Sequence, residues 1–410
     1  MTYTLLRGNF VIRYPDLPRQ GPEPDGDTIK FLPDTPALIE ALPRPSGASP
    51  DLNRRGVSVR LEAIDALETH FEETHQRLDW AYAARDRLLA LLGFTGVEFF
   101  DDLPNKVKRA DQDSISGHVL TNGVDANGRL IAFVYGGATD TPDGAPIFLT
   151  PDLADASANR ALLAEGLAYP AYYATLPVDL RDHLAGVSRA ARPATGLWPH
   201  ADGHPGNPAT VTPETLDETV IWPKLFRRLV PYFAAGFTGF DQFDTWLRAD
   251  PVHRDDAVWL IGRREHGNLH DVVRASGDQI ELTVWPEDFV IAPDPATGPT
   301  TPPTAVTGDL VIVAALPNPA GADAGAEKIT LLNVTPGPIA LDGWHLRDTS
   351  GNRTALTGPI EAGEVRVVKV GWLNNESDSI MLVGPDDVVI DTVTYKKEQV
   401  QTGRTIVFGR

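Results

Sequence analysis

Five ionisable side chains sit at spacings that would let them act on one substrate. Asp27 follows a glycine turn, Arg60, Asp65 and Glu68 fall within R-L-E-A-I-D-A-L-E (60–68), and Arg129 follows an Asn-Gly turn. Two acids and a base at the end of an apolar strand are costly to bury unpaired. They make sense as a hard-cation site beside a phosphate, with carboxylates on the cation and a guanidinium on the anion. Hydrolysis of a phosphodiester needs a nucleophilic water, neutralised non-bridging oxygens and help for the leaving oxygen. Two carboxylates can hold Ca²⁺, a third can orient or deprotonate water, and two arginines can grip the phosphate as its charge shifts. Taken singly, each is an ordinary surface charge or turn residue. Their order on strand-flanking positions carries the meaning.

The elements that must position them follow from periodicity. Residues 3–13 read as a strand, and Asp25-Gly26-Asp27 turns into a short one. Residues 57–64 form the strand that bears Arg60, with Val57, Val59 and Leu61 at period two. Helical spacing covers Gln76 to Leu92 and stops at Gly93. A short strand at 97–100, a charged loop at 101–113 and two strands at 118–121 and 130–135 follow, the last pair flanking an Asn- and Gly-rich turn. Helices are predicted at 156–167 and 176–192. Residues 200–213 read as a linker, 219–247 as mainly helical and 279–284 as a strand, so 199–291 is expected to be a mixed, mainly helical extension without recognisable chemistry. The Pro/Thr-rich stretch 292–307 cannot build a core and marks a domain boundary. Beyond it, short β-rich runs recur with turn residues between them, the pattern of a β-sandwich over 308–410.

Composition narrows the class. A chain of 410 residues is too long for one comfortable core, and 42% hydrophobic with 22% charged residues is ordinary globular material. Without cysteine there are no disulfides, thiolate nucleophiles or Cys-ligated zinc. The net charge of -20 excludes nucleic-acid binding through a broad basic surface, though a locally positive site can still meet a phosphodiester. No apolar run reaches membrane-spanning length. No signal-type stretch opens the chain, which makes the cytoplasm the default assignment and leaves secretion open.

The motifs as a set resemble the staphylococcal nuclease (thermonuclease-like) family over residues 1–198. They are D-G-D-T-I-K-F (25–31), V-R-L-E-A-I-D-A-L-E-T (59–69), N-G-R-L-I-A-F-V-Y (127–135) and A-N-R-A-L-L-A-E-G-L-A (158–168). The resemblance implies an OB-type five-stranded β-barrel with helices, and a Ca²⁺-dependent nuclease acting on DNA or RNA. Asp27 and Asp65 would bind the metal with the Ala66 carbonyl as a further ligand. Glu68 would position or activate the attacking water, Arg60 and Arg129 would stabilise the transition-state phosphate, and Tyr172 would either lie beside the nucleotide or pack in the core. Ala66 and Leu67 stand where the family usually has Thr and often has Pro, and Ala126-Asn127 replaces a phosphate-binding Lys and Tyr. The alternative is a catalytically weak scaffold that binds nucleic acid or protein.

The C-terminal segment is similar to a lamin-tail domain, an immunoglobulin-like sandwich, through E-K-I-T-L-L-N (327–333), L-D-G-W-H-L-R-D (341–348) and D-T-V-T-Y (391–395), with Trp344 as its core tryptophan. Such a module implies an adaptor for a protein or surface partner. His70 and His75 follow the acidic motif, and His200 and His204 lie in the expected linker. All four read better as solvated loop residues than as ligands. The aromatic and arginine cluster Trp222–Tyr232 has helical spacing, which favours a core face with a basic edge over a base-stacking platform.

Overall fold

Tyr3, Leu5, Leu6 and Phe10 give the first strand, β1 (Thr2–Val11), an inward face in the computed structural model of the chain. The structure describes residues 2–44, 48–251, 253–292, 310–321, 325–335, 338–385 and 389–408, so nearly all of the expected linker at 292–307 lies outside it. After β1 come β2 (Thr28–Pro33), α1 (Ala37–Glu40), β3 (Val57–Leu61), β4 (Ala63–Asp65), α2 (Leu78–Leu92), β5 (Glu98–Phe100), β6 (Leu103–Arg109), β7 (Ser114–Val124) and β8 (Leu130–Gly136). Next are β9 (Pro146–Phe148), α3 (Pro151–Asp155), α4 (Ala158–Ala164), β10 (Tyr169–Ala171) and α5 (Val178–Ala191). Pairing runs β1–β2–β3–β8–β7 and returns to β1, which closes a five-stranded barrel, with β9 added along β1. The β3–β8 pair is parallel. Closure fills the interior with side chains such as Phe10 and Phe31, whose rings are 5.2 Å apart. Gly93 ends α2 in the left-handed conformation, as its position predicts.

Residues 199–291 are mixed, as expected, with more residues in helix than in strand but more strands than the one expected at 279–284. They form β11 (Ala209–Thr210), α6 (Pro223–Ala234), α7 (Phe243–Arg248), β12 (Ala257–Leu260), β13 (Glu265–Asn268), α8 (Leu269–Val272), β14 (Val273–Ser276), β15 (Gln279–Leu282) and β16 (Phe289–Ile291). Six of these are strands, in two three-stranded sheets, β11–β15–β14 and β13–β12–β16. Apart from β15, which matches the strand expected at 279–284, these strands of four residues or fewer are too short for alternation to register in sequence. The extension is not a detached module. It shares the compact unit Met1–Pro299 with the barrel, and its core holds Leu67, Ala81 and Tyr169 of the barrel region beside Trp222, Phe226 and Leu229. The expected linker at 200–213 is part of that core through Ala201, Ala209 and Val211. Its Pro and Gly form a turn closed by paired His204 and Asn207.

The second unit, Thr300–Arg410, is all β among its described strands. It comprises β17 (Leu310–Leu316), β18 (Glu327–Asn333), β19 (Ile339–Ala340), β20 (His345–Arg347), β21 (Arg353–Ala355), β22 (Pro359–Ile360), β23 (Val365–Val370), β24 (Ser377–Val383), β25 (Val389–Lys396) and β26 (Ile406–Val407). Two four-stranded sheets, β23–β18–β17–β26 and β21–β20–β24–β25, contribute to one core that contains Trp344. No described helix is long and apolar enough to cross a membrane.

Candidate functional site

The site is assembled where β3 breaks. The β2–β3 register sets Thr28 opposite Arg60, and the Leu61 amide donates to the Asp27 carbonyl at 2.8 Å. The expected single strand over 57–64 ends at Leu61, and Ala63 takes a left-handed φ of 71°. A buried asparagine on α4 holds this bend. Asn159 accepts from the Val134 amide at 3.0 Å and donates to the carbonyls of Glu62 at 2.9 Å and Ala132 at 3.0 Å. Beyond the bend, β4 pairs with β10, Asp65 opposite Tyr169. Gly26 is required by close approach. A Cβ there would lie 2.5 Å from the Ala66 Cβ and 2.8 Å from the Ala84 Cβ. That packing brings Asp27 against the acidic motif, and the Ala66 amide points at Asp27 Oδ2, 3.4 Å away.

Asp65 lies at the centre, its side chain 1% exposed. Arg60 Nη2 donates to its Oδ1 at 3.2 Å. A second guanidinium, Arg227 of α6, donates through Nη2 to Oδ1 at 3.0 Å and Oδ2 at 2.8 Å, and through Nη1 to Glu68 Oε1. Burial pulls the Asp65 pKa up, but Arg227 and Arg60 together outweigh it and hold the carboxyl below its ordinary value. Its acidic neighbours behave oppositely. Burial raises Glu68, Asp27 and Asp65 add to the rise, and Arg227 only opposes it. Burial also raises Asp27, with Asp65 adding and Arg60, Arg227 and Arg129 opposing. Asp25 rises well above the carboxylate range through burial and the charges of Glu68 and Asp27. Asp27, Asp65 and Glu68 thus act on one another, Arg60 acts on Asp27 and Asp65, and Arg129 reaches the group through Asp27.

Arg129 is set by the turn before it, where Gly128 has a φ of 82°. Asp125 accepts from the Arg129 amide at 2.9 Å and from its Nε at 2.8 Å, which fixes the guanidinium. Arg60 and Arg129 both line a cavity of about 280 Å³, together with Glu62, Asn122, Ile131 and Tyr173. Arg60 also lies over the Tyr173 ring, 5.4 Å from its centroid. Glu62 is pushed up to about 7 by burial, against the opposing hydrogen bonds from Tyr3 and Asn122.

Of its two expected places, Tyr172 takes the core. It is fully buried, its hydroxyl has no partner among the described residues, and it does not line the cavity, whereas Tyr173 does. Adjacent residues leaving a strand point to opposite sides, so the change of one position exchanges core for cavity. His70 contacts Glu23 at 3.4 Å and the Thr69 hydroxyl at 3.2 Å, and His75 its neighbour's carbonyl at 2.9 Å. His200 and His204 stack near Trp80 and Trp285. Trp222, Phe226 and Tyr232 are core residues. Asp25, Tyr173 and Arg227 are the site residues that motif reading misses. Asp25 was within sight, two positions before Asp27. Arg227 gave no local signal.

The donor chemistry suits a hard cation. Four buried or half-buried carboxylates lie together, two of them, Asp65 and Glu68, in contact with a guanidinium, and the other two and Glu68 hold their protons more tightly than free carboxylates do. The arrangement as folded is not an open shell. Among the described residues no three His, Asp or Glu side chains converge as ligands, and Arg227 takes oxygens of both Asp65 and Glu68. No family model matches the chain and no curated protein matches it, so the likeness to the nuclease family stands on the residues quoted for it.

Proposed function

We propose that the protein is a nuclease that hydrolyses phosphodiester bonds of DNA or RNA at the cavity between β3 and β8. The observation that carries this reading is that Arg60 and Arg129 line one cavity while Arg60 also contacts Asp65, a carboxylate behind the lining whose charge acts on Asp27 and Glu68. A guanidinium pair is suited to a phosphodiester, because each planar fork can hold two phosphate oxygens. Asp125 and Asp65 fix the two forks before substrate arrives, so little ordering is needed on binding. Ca²⁺, held by Asp27, Asp65 and the Ala66 carbonyl, would supply charge neutralisation and a more acidic bound water.

Glu68 would accept the proton of the attacking water. Its raised proton affinity brings it closer to the range in which a carboxylate works as a general base. Tyr173 offers a ring face for a base or sugar, and Ile131 an apolar wall. A weakly catalytic scaffold is the second reading, favoured by Arg227 on the two carboxylates that the chemistry would use. A turnover assay on a fluorescent oligonucleotide with and without Ca²⁺, set beside calorimetric binding of the same oligonucleotide, separates the two. Binding without turnover at any Ca²⁺ concentration would establish the scaffold.

A further inference from the structure

We propose that Arg227 is a built-in competitor for the divalent cation, so that ion binding and the Arg227 contacts exclude one another; this rests on the nuclease reading of the same carboxylates. The guanidinium holds both oxygens of Asp65, at 3.0 and 2.8 Å, and one oxygen of Glu68. An ion ligated by Asp65 needs at least one of those oxygens. Arg60 shares Oδ1 at 3.2 Å, so both Asp65 oxygens already face guanidinium charge and an ion must compete with it.

The placement is built rather than incidental. Lys224, Arg227 and Arg228 are spaced i, i+3, i+4 and form one basic edge of α6. Lys224 and Arg228 both grip Asp256, at 2.6 and 2.7 Å, which fixes that edge and aims Arg227 at the acids. The helix is seated against the motif itself. Phe226 meets the Phe71 ring at 6.4 Å, and Leu67 lies in the same core as Leu225 and Leu229. Gln76 bridges the two, its Nε2 donating to the Ile221 carbonyl at 2.9 Å and its Oε1 accepting from the Glu68 amide at 3.3 Å. Leu67, which departs from the family's usual proline, is therefore an anchor for the extension. The Arg227 side chain is only 18% exposed, so little water screens its charge from the acids.

The test is a calorimetric titration of the intact chain with CaCl₂ alone, for wild type, Arg227→Met and Arg227→Lys. Methionine keeps the apolar stem and removes the charge. Its affinity for Ca²⁺ should rise by roughly tenfold or more, because the ion then reaches Asp65 and Glu68 without displacing charge-assisted hydrogen bonds from Arg227. Lysine cannot span both acids and should give a smaller gain. If circular dichroism shows that the methionine variant does not fold, the lysine variant alone carries the prediction. Affinity that is unchanged or weaker in the folded variants, or no binding heat in any of them, overturns the proposal. Tighter ion binding without oligonucleotide cleavage would leave the competition standing and sink the nuclease reading. Cleavage with no gain in ion affinity would do the reverse.

Discussion

Glu62→Gln should stabilise the protein at alkaline pH and leave it nearly unchanged at acid pH. Glu62 is almost wholly buried beside the cavity, and its pKa rises from 4.5 to about 7 because burial disfavours the charged form. The folded state therefore binds this proton more tightly than the unfolded chain. Stability falls as pH rises wherever the folded state carries more protons, here between about 4.5 and 7, and the loss is complete above that window. At about 1.4 kcal/mol for each tenfold change in proton affinity, the loss is about 3 kcal/mol. Glutamine carries no charge to desolvate and can still accept from the Tyr3 hydroxyl, 3.1 Å from Glu62 Oε2. Urea unfolding at about pH 5 and about pH 8 measures the effect. Tryptophan fluorescence is a suitable probe because six of the eight tryptophans lie in Met1–Pro299. The variant should gain about 3 kcal/mol at the higher pH and well under 1 kcal/mol at the lower. An equal gain at both, or a larger gain in acid, would show that Glu62 does not stay protonated in the fold.

Four further substitutions probe the frame around the site. Asn159→Ala removes three buried hydrogen bonds at the bend and should cost about 3 kcal/mol, read by the same unfolding experiment. Ala63→Gly relieves a left-handed backbone and should stabilise by up to about 1 kcal/mol; a loss would mean that the Cβ packing outweighs the strain. Tyr173→Ala should weaken oligonucleotide binding in calorimetry, by about 1 kcal/mol or more if a base stacks there, while Tyr172→Phe, which deletes only an unpartnered hydroxyl, should not.

Strands of the barrel were readable where they alternate and their turns carry Gly, as at Val57–Leu61 and Gly128, while their closure into a barrel was implied only by the family resemblance. The break at Glu62 was not, since Ala63 is an unusual residue for a positive φ and its neighbours continue the apolar run. The stretch 101–113 read as a charged loop yet contains β6, in which only Val107 is buried, so no alternation appears. The site was legible as far as its parts lay in short motifs. Arg227 lies 159 residues from Glu68, and on α6 it looks like any arginine on the polar side of an amphipathic helix. Only folding the extension onto the barrel gives it a role. Tyr172 and Tyr173 are equivalent in sequence, and their environments alone separate them.

The most direct measurement of the site's chemistry is oligonucleotide cleavage by the intact chain across a Ca²⁺ series, beside Arg60→Ala and Glu68→Gln. Wild type should cleave with Ca²⁺ and stop with a chelator. Both variants should lose at least about a hundredfold in kcat, since each removes a group acting on the transition state. Full activity in either variant, or cleavage indifferent to the chelator, would contradict a phosphodiesterase site built on Arg60, Asp65 and Glu68.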